Sequence, residues 1–328
     1  MSHLEASHLF SIKGQVAVVT GGGSGKSFLV LHSLHSSTID YGLLRYMILT
    51  KLSGLGRSMA QALAINGASK VFIVGRRLEA LQETAALGPQ GTIIPVTGDI
   101  SSKESLQAAY DTIASQTGHV DLLLANSGAL GPTARPPTKP DGSKPDLSEV
   151  REELWSLPME DFSSVLHTNV TGTYFTVIAF LPLLEAANKR HAPAPNTPAP
   201  PKAQVIITSS IAGFIRLVPV GFPYSLSKAA VTHLIKMLST VLSSYDIRVN
   251  GVAPGLYMSE MASPMYEGRG SGVSDGSFPQ QMIPLSRGGK EEEIAGLILF
   301  MSSTAGGYLN GSIIVTDGGR LSILPSAY

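Results

Sequence analysis

A tyrosine and a lysine stand four residues apart in the run Tyr224-Ser225-Leu226-Ser227-Lys228. On a helix this spacing puts both side chains on one face. A phenol titrates near pH 10 or so (about 10), and it exchanges protons poorly at neutral pH unless a nearby cation stabilises the phenolate. Lys228 can be that cation, and Tyr224 the proton donor or acceptor. The plain alternative is a solvated surface pair, which the spacing alone does not exclude. The context favours chemistry, because the apolar run 204–208 ends in Ser209-Ser210 and Tyr224 opens the next helical pattern. A second run, Thr20-Gly21-Gly22-Gly23-Ser24-Gly25, closes the apolar stretch 15–20. Glycines after a strand let the backbone approach a pyrophosphate, whose charge the next helix N-terminus stabilises. An ordinary glycine turn would look the same.

These residues need elements to hold them. Apolar runs at 15–20, 70–74, 92–96, 120–125, 204–208, 248–252 and 312–316 read as strands. Helical patterns occupy 56–65, 78–87, 103–115, 160–187, 224–244 and 291–302, the longest with a kink expected near Pro182. The strands are apolar almost throughout, which requires burial on both faces. The alternation predicts a doubly wound parallel sheet, a Rossmann fold, with residues 1–328 as a single α/β domain. Such sheets bind ligands beyond the carboxyl ends of their strands. Asp99-Ile100 and Asn126-Ser127-Gly128 fall there. An aspartate at that edge can accept from an adenine amino group, or it caps the next turn or helix. The second strand ends at Gly75-Arg76-Arg77. An acidic residue there would take a ribose 2′-hydroxyl, whereas arginine matches a 2′-phosphate. NADP (as NADPH) is therefore expected ahead of NAD; the alternative is that the arginines are solvated helix-start residues.

Composition narrows the classes. Basic and acidic residues balance at 24 each, so nothing draws the chain to nucleic acid or to an anionic membrane. Cysteine is absent, which excludes disulfides, thiolate chemistry and cysteine zinc sites; no metal is expected. The first residues lack the basic and apolar regions of a signal peptide. The stretch 28–50 carries His32, His35, Asp40 and Arg45, costly to place in a bilayer. A soluble cytoplasmic protein is expected. Two Pro-rich segments, 131–146 and 191–202, read as exposed loop expansions, and the Gly/Ser-rich stretch 263–280 as a mobile loop.

Taken together, Thr20–Gly25, Asp99, Asn126-Ser127-Gly128, Asn169-Val170-Thr171-Gly172, Ser209-Ser210-Ile211-Ala212-Gly213, the Tyr224–Lys228 pair and the run from Val249 through Asn250, Ala253 and Pro254 to Gly255 resemble the short-chain dehydrogenase/reductase family in order and spacing. The resemblance implies hydride transfer between a nicotinamide and a small carbonyl or alcohol substrate. It implies Tyr224 as catalytic acid/base, Lys228 as its cation and a ribose ligand, Ser210 as the group orienting the carbonyl, and Asn169 as holder of a helix–water relay. Ser210 is preferred to Ser209 because Gly213 then falls where the family has its glycine. For the cofactor it implies Gly21, Ser24, Gly25, Leu55, Gly56, Asp99, Ile100, Asn126, Gly128, Gly255, Leu256 and Ser259, with the 256–284 stretch closing the substrate pocket. A homodimer or homotetramer is expected as well, since 173–184 is apolar nearly all round and 229–242 carries few charges.

One segment departs from the family. Residues 26–54 separate the glycine run from Leu55-Gly56-Arg57-Ser58, and removing them joins the two without a seam. Codons for Gly25-Lys26-Ser27 can spell a splice donor, those for Ile48-Leu49-Thr50 a branch point, and those for Ser53-Gly54 an acceptor. A retained intron in the gene model is the expectation. The split supports a rival reading, a non-catalytic Rossmann cofactor-binding protein. It also creates a decoy: residues 21–27 resemble the P-loop of a nucleotide hydrolase, but Thr20 stands where that motif needs glycine, and no strand ends in a suitably placed acidic residue.

Overall fold

The computed structural model describes residues 4–23, 54–190, 200–259, 262–269 and 271–327. Ser24, Gly25, nearly all of the 26–54 segment and most of the 191–202 loop lie outside the described residues. After a short helix α1 (Ala6–Leu9), the chain alternates β1 (Val16–Thr20), α2 (Leu55–Ile65), β2 (Lys70–Gly75), α3 (Leu78–Ala85), β3 (Ile93–Thr97), α4 (Lys103–Ala114) and β4 (Leu122–Ala125). Helices α5 (Leu147–Trp155), α6 (Met159–Leu166) and α7 (Thr173–Arg190) lead to β5 (Gln204–Thr208). Then come α8 (Phe222–Leu242), β6 (Arg248–Pro254), α9 (Glu291–Ser302) and β7 (Ile313–Thr316).

The seven strands form one sheet in the order β3-β2-β1-β4-β5-β6-β7, every pair parallel. Strand side chains alternate between faces. Val16, Val18, Phe72, Leu123 and Val205 meet α4, α7 and α8, whereas Ala17, Val19, Ile73, Leu124 and Ile206 meet α2, α3 and α9. The apolar runs of β1, β2, β4, β5 and β6 are thus buried on both sides, and those of the edge strands β3 and β7 only partly. Topology reverses between β1 and β4: the chain moves outward to β3, then returns to the other side of β1. Loops diverge there and leave a crevice above the sheet.

Three local features differ from expectation. The helical pattern over 160–187 is divided by a π-helical turn at His167–Gly172, and α7 continues through Pro182. Helix α5 was not expected at all. It starts with a capping box between Asp146 and Glu149 but buries none of its residues, so it has no apolar face facing the core to announce it. Within 263–280, Tyr266 and Phe278 are buried in a small cluster with Leu256 and Ile283, their rings edge to face at 5.5 Å. Exposed Leu226, Met237 and Val241 form an apolar stripe along α8.

The glycine run at Gly21 and the start of α2 lie side by side. Gly54 caps α2, and a methyl group on Gly56 would stand 2.6 Å from Gly21 O. Only a glycine lets the first turn of α2 approach the glycine run this closely. The chain therefore leaves β1 and returns to the same corner of the crevice.

Candidate active site

A cavity of about 1250 Å³ runs along the carboxyl edge of the sheet. At one end it is lined by Gly21, Gly23, Leu55, Arg76, Arg77 and Asp99, and at the other by Ser210, Tyr224, Lys228, Leu256 and Ser259. Ile100, Asn126, Gly128 and Gly255 line the stretch between. Of the described residues expected at a cofactor, Gly56 alone lies off this wall. It sits behind, packed on Gly21 and Asn126, so its part is close packing of the helix rather than ligand contact.

The strand ends are fastened by side chains. Thr20 Oγ1 accepts from the backbone N–H groups of Asn126 (3.0 Å) and Ser127 (3.1 Å). Asn126 Nδ2 donates to Thr20 O at 3.2 Å, and Thr208 Oγ1 donates to Asn126 Oδ1 at 3.1 Å. Asn126 is thus a clasp across β1, β4 and β5 as much as a cleft residue. Gly21 has φ +76°, which a side chain would strain. Behind it, buried Arg57 donates to Thr84 Oγ1 (3.0 Å) and pairs with Glu83, while Thr84 donates to Gly22 O (2.9 Å). Arg57 and Thr84 were missed by the sequence reading. Their signal was weak, because both hold backbone rather than ligand. Asp99 Oδ1 accepts from Ser101 N and Oγ at 2.9 and 2.6 Å. The Ser101 hydroxyl, helped by Arg76, holds its carboxyl below the ordinary value against the effect of burial. Capping is therefore one of its occupations, and its place on the cleft wall leaves the other open.

At the far end, Tyr224 and Lys228 sit one turn apart on α8 and are both buried. Ser210 lies beside the Tyr224 hydroxyl on the cleft wall and favours its ionised form, while its own Oγ accepts from Ala212 N at 3.1 Å. Ser209 does not reach the phenol: its hydroxyl pairs with Thr232 Oγ1 (2.8 Å) and donates to Lys228 O (3.1 Å). Gly213 explains the geometry of the serine loop, because a methyl there would stand 2.7 Å from the Lys228 carbonyl carbon. Lys228 Nζ lies 5.7 Å from the Tyr224 ring centroid and donates to Thr208 O at 2.8 Å. Asn169, carried by the π turn, accepts from Ala129 N (2.7 Å) and donates to Ala129 O and Ser227 Oγ (2.9 Å each). Ser227 Oγ in turn donates to Tyr224 O. The side chain of Asn169 thus joins the loop after β4 to the turn bearing the tyrosine.

A further wall comes from a segment read as an exposed loop. Thr133 and Arg135 of the 131–146 loop line the cleft, the loop being tied down by Phe222 N donating to Ala134 O. The C-terminal residues cross the segment after Ser210, with Arg216 N donating to Pro325 O and Ala327 N to Phe214 O.

With this geometry in view, the comparisons decide the family. A family model described as Enoyl-(Acyl carrier protein) reductase matches residues 50–320. The chain is 39% identical over 326 residues to the short-chain dehydrogenase/reductase PhomF of Diaporthe leptostromiformis, covering 99% of this chain and 97% of that one. The chain belongs to the short-chain dehydrogenase/reductase family. It is 43% identical to SAT3 of Stachybotrys chartarum, over 82% of this chain and all of that protein. Among solved structures it resembles the Pseudomonas aeruginosa RhlG/NADP active-site complex, with 28% identity, a TM-score of 0.70 and coverage of 95% and 98%. It is an oxidoreductase of this family, whose members bind nicotinamide cofactors.

Electrostatics sets the protonation of the buried pair. Burial raises the Tyr224 phenol above its ordinary value, neighbouring Ser210 acting in the opposite sense, and burial lowers Lys228 to about 8. The sequence reading had the lysine pull the phenol down; in the protein alone burial dominates. Tyr224 therefore stays protonated where Lys228 begins to lose its charge. A reduction carried by this pair would need the phenol proton and the ammonium together, and its kcat/KM should then fall as pH rises through about 8, the falling limb belonging to Lys228. A profile that stays level well into the alkaline range would separate Lys228 from the rate.

Proposed function

We propose that the chain is an NADPH-preferring reductase or dehydrogenase of a carbonyl/alcohol pair, with Ser210, Tyr224 and Lys228 as its reacting centre. The observation that carries this reading is the convergence of Ser210, Tyr224 and buried Lys228 on one wall of a cleft whose other end bears two arginines. The cleft fits a nicotinamide dinucleotide: the Gly21 turn with its positive φ and the N-terminus of α2 suit a pyrophosphate, and Asp99 stands where an adenine would lie. Arg76 and Arg77 suit a 2′-phosphate, and the NADP bound in the Pseudomonas relative supports the same choice.

Bound there, the nicotinamide supplies the hydride. The chain supplies the rest. Ser210 donates to the carbonyl oxygen as negative charge grows on it, and Tyr224 delivers the proton to that oxygen. Lys228 offsets the phenolate left behind. Asn169 and Ser227 keep the tyrosine's turn in place. Thr208 O orients the ammonium.

Tyr224→Phe keeps the ring and removes the proton. Turnover should fall by about a hundredfold to ten-thousandfold while NADPH affinity, read by fluorescence titration, barely changes. Residual activity close to wild type would take Tyr224 out of the mechanism. Changing Arg76 and Arg77 together to alanine should weaken NADPH at least about tenfold more than NADH, because only NADPH carries the phosphate that their charge-assisted hydrogen bonds address. Equal losses for both cofactors would assign the arginines elsewhere.

The 26–54 segment supports the rival reading, in which the fold is kept and the chemistry impaired. The family model matches from residue 50, past β1 and the glycine run, whereas the match to PhomF spans 99% of the chain and so crosses the segment. Closing a long excursion costs little and the cost grows slowly with length, but the helix N-terminus acts on a phosphate only at short range. The full chain should fold and bind NADPH weakly, and deleting 26–54 should restore tight binding and turnover. Equal affinity in both chains would make the segment an accommodated loop, and an abundant mature transcript encoding all of it would end the retained-intron account.

A further inference from the structure

Arg320 opens the turn after β7 and lines the substrate end of the cleft. Its Nε is buried, and among the described residues it has no hydrogen-bond partner. The nearest carboxylate, Asp317, favours the cation through its charge, but its oxygens are already engaged. Oδ1 accepts from Gly319 N at 2.9 Å and Oδ2 from Leu321 N at 2.7 Å. Burial outweighs that charge and pushes the guanidinium below its ordinary value.

Arg320 as a whole is half-buried, with its Nε enclosed, and the two fully buried arginines of the described chain are provided for. Arg57 has Thr84 and Glu83, and Arg248 has Gln204 Oε1 at 2.8 Å together with the carbonyls of Gly306 and Leu309. A guanidinium carries five donors in a fixed fork and loses water only at a cost that good acceptors must offset. Arg320 is the exception, and it is the exception on the wall of a binding cleft. Around it stand Ile215, Leu256, Ala262 and Met265, with Arg135 further along, and no acidic residue lines this end among the described residues. Arg135 already donates to Pro219 O. Beyond the polar Ser210, Tyr224 and Lys228, the substrate end thus sets one under-used cation among apolar side chains. A single planar fork among apolar walls matches the geometry and charge of a monocarboxylate better than those of a phosphate dianion.

We propose that Arg320 binds a carboxylate borne by the carbonyl substrate, so that the enzyme selects oxo-acids over their neutral esters. This rests on the reading of the Tyr224 cleft as the site of reduction. The test uses oxo-carboxylic acids of graded chain length, each paired with its methyl ester. For the best-fitting acid, wild-type kcat/KM should exceed that of the ester by about tenfold or more, the usual worth of a charge-assisted hydrogen bond. Arg320→Gln should erase the preference by raising KM for the acid while leaving the ester unchanged, and Arg320→Lys should keep part of it. A second measurement needs no turnover: the acid should raise the Tm of the NADPH-loaded wild-type protein but not that of Arg320→Gln. Equal handling of acid and ester by the wild type, or an unchanged ratio in Arg320→Gln, overturns the proposal and leaves the reductase reading standing. If no carbonyl compound were turned over, the reductase reading would fail, and the Tm shift would still decide for or against Arg320. Should Arg320→Gln not fold, the wild-type ratio and Arg320→Lys decide.

Discussion

Strands of a parallel sheet stop at their carboxyl edge with backbone groups that no neighbouring strand completes, and at the point where the crossovers reverse nothing in the sheet itself holds the departing loops. Here the Thr20 hydroxyl and the Asn126 amide finish the ladder across β1 and β4, and Thr208 extends the clasp to β5. Three loops leave from this clasp: the glycine run, the Asn126–Gly128 turn and the serine turn. Their relative positions, and so the length and shape of the cleft, follow from a few hydrogen bonds among side chains that are themselves largely buried. Polar groups in such a place either find partners or weaken the fold.

The reacting end obeys a second constraint. A phenol and an ammonium are both buried on one helix turn, and burial works against the charged form of each. The protein meets that cost by giving Lys228 a carbonyl acceptor and by pinning the surrounding backbone through Asn169 and Ser227. The result is a proton donor that keeps its proton until a developing charge calls for it, which suits reduction of a carbonyl.

Much of this was legible in the residues. All seven strands announced themselves as short apolar runs because both faces of the sheet are covered, and the Tyr224–Lys228 spacing carried the helix that bears them. What escaped did so for physical reasons. Helix α5 turns no apolar face to the core, so it left no periodic signal. The packing of Tyr266 on Phe278 joins residues separated by a glycine-rich stretch, which composition alone reads as slack. Thr84 and Arg57 act on a backbone carbonyl and on each other, and their types name no chemistry. Asn126 and Gly56 were placed at the right corner of the fold, yet their work there is as much to hold the chain as to meet a ligand.

The π turn at His167–Gly172 has an evolutionary corollary. A π turn holds one residue more than the α-helical turn it replaces, and such turns recur at functional sites. Losing a single residue there would regularise the helix and keep α7 on the sheet, but it would rotate Asn169 away from Ala129 and Ser227. Lineages that drift in length at this point would therefore be expected to keep their stability while losing their chemistry, so a one-residue gap over 167–172 would mark a descendant that has retained the scaffold for another use.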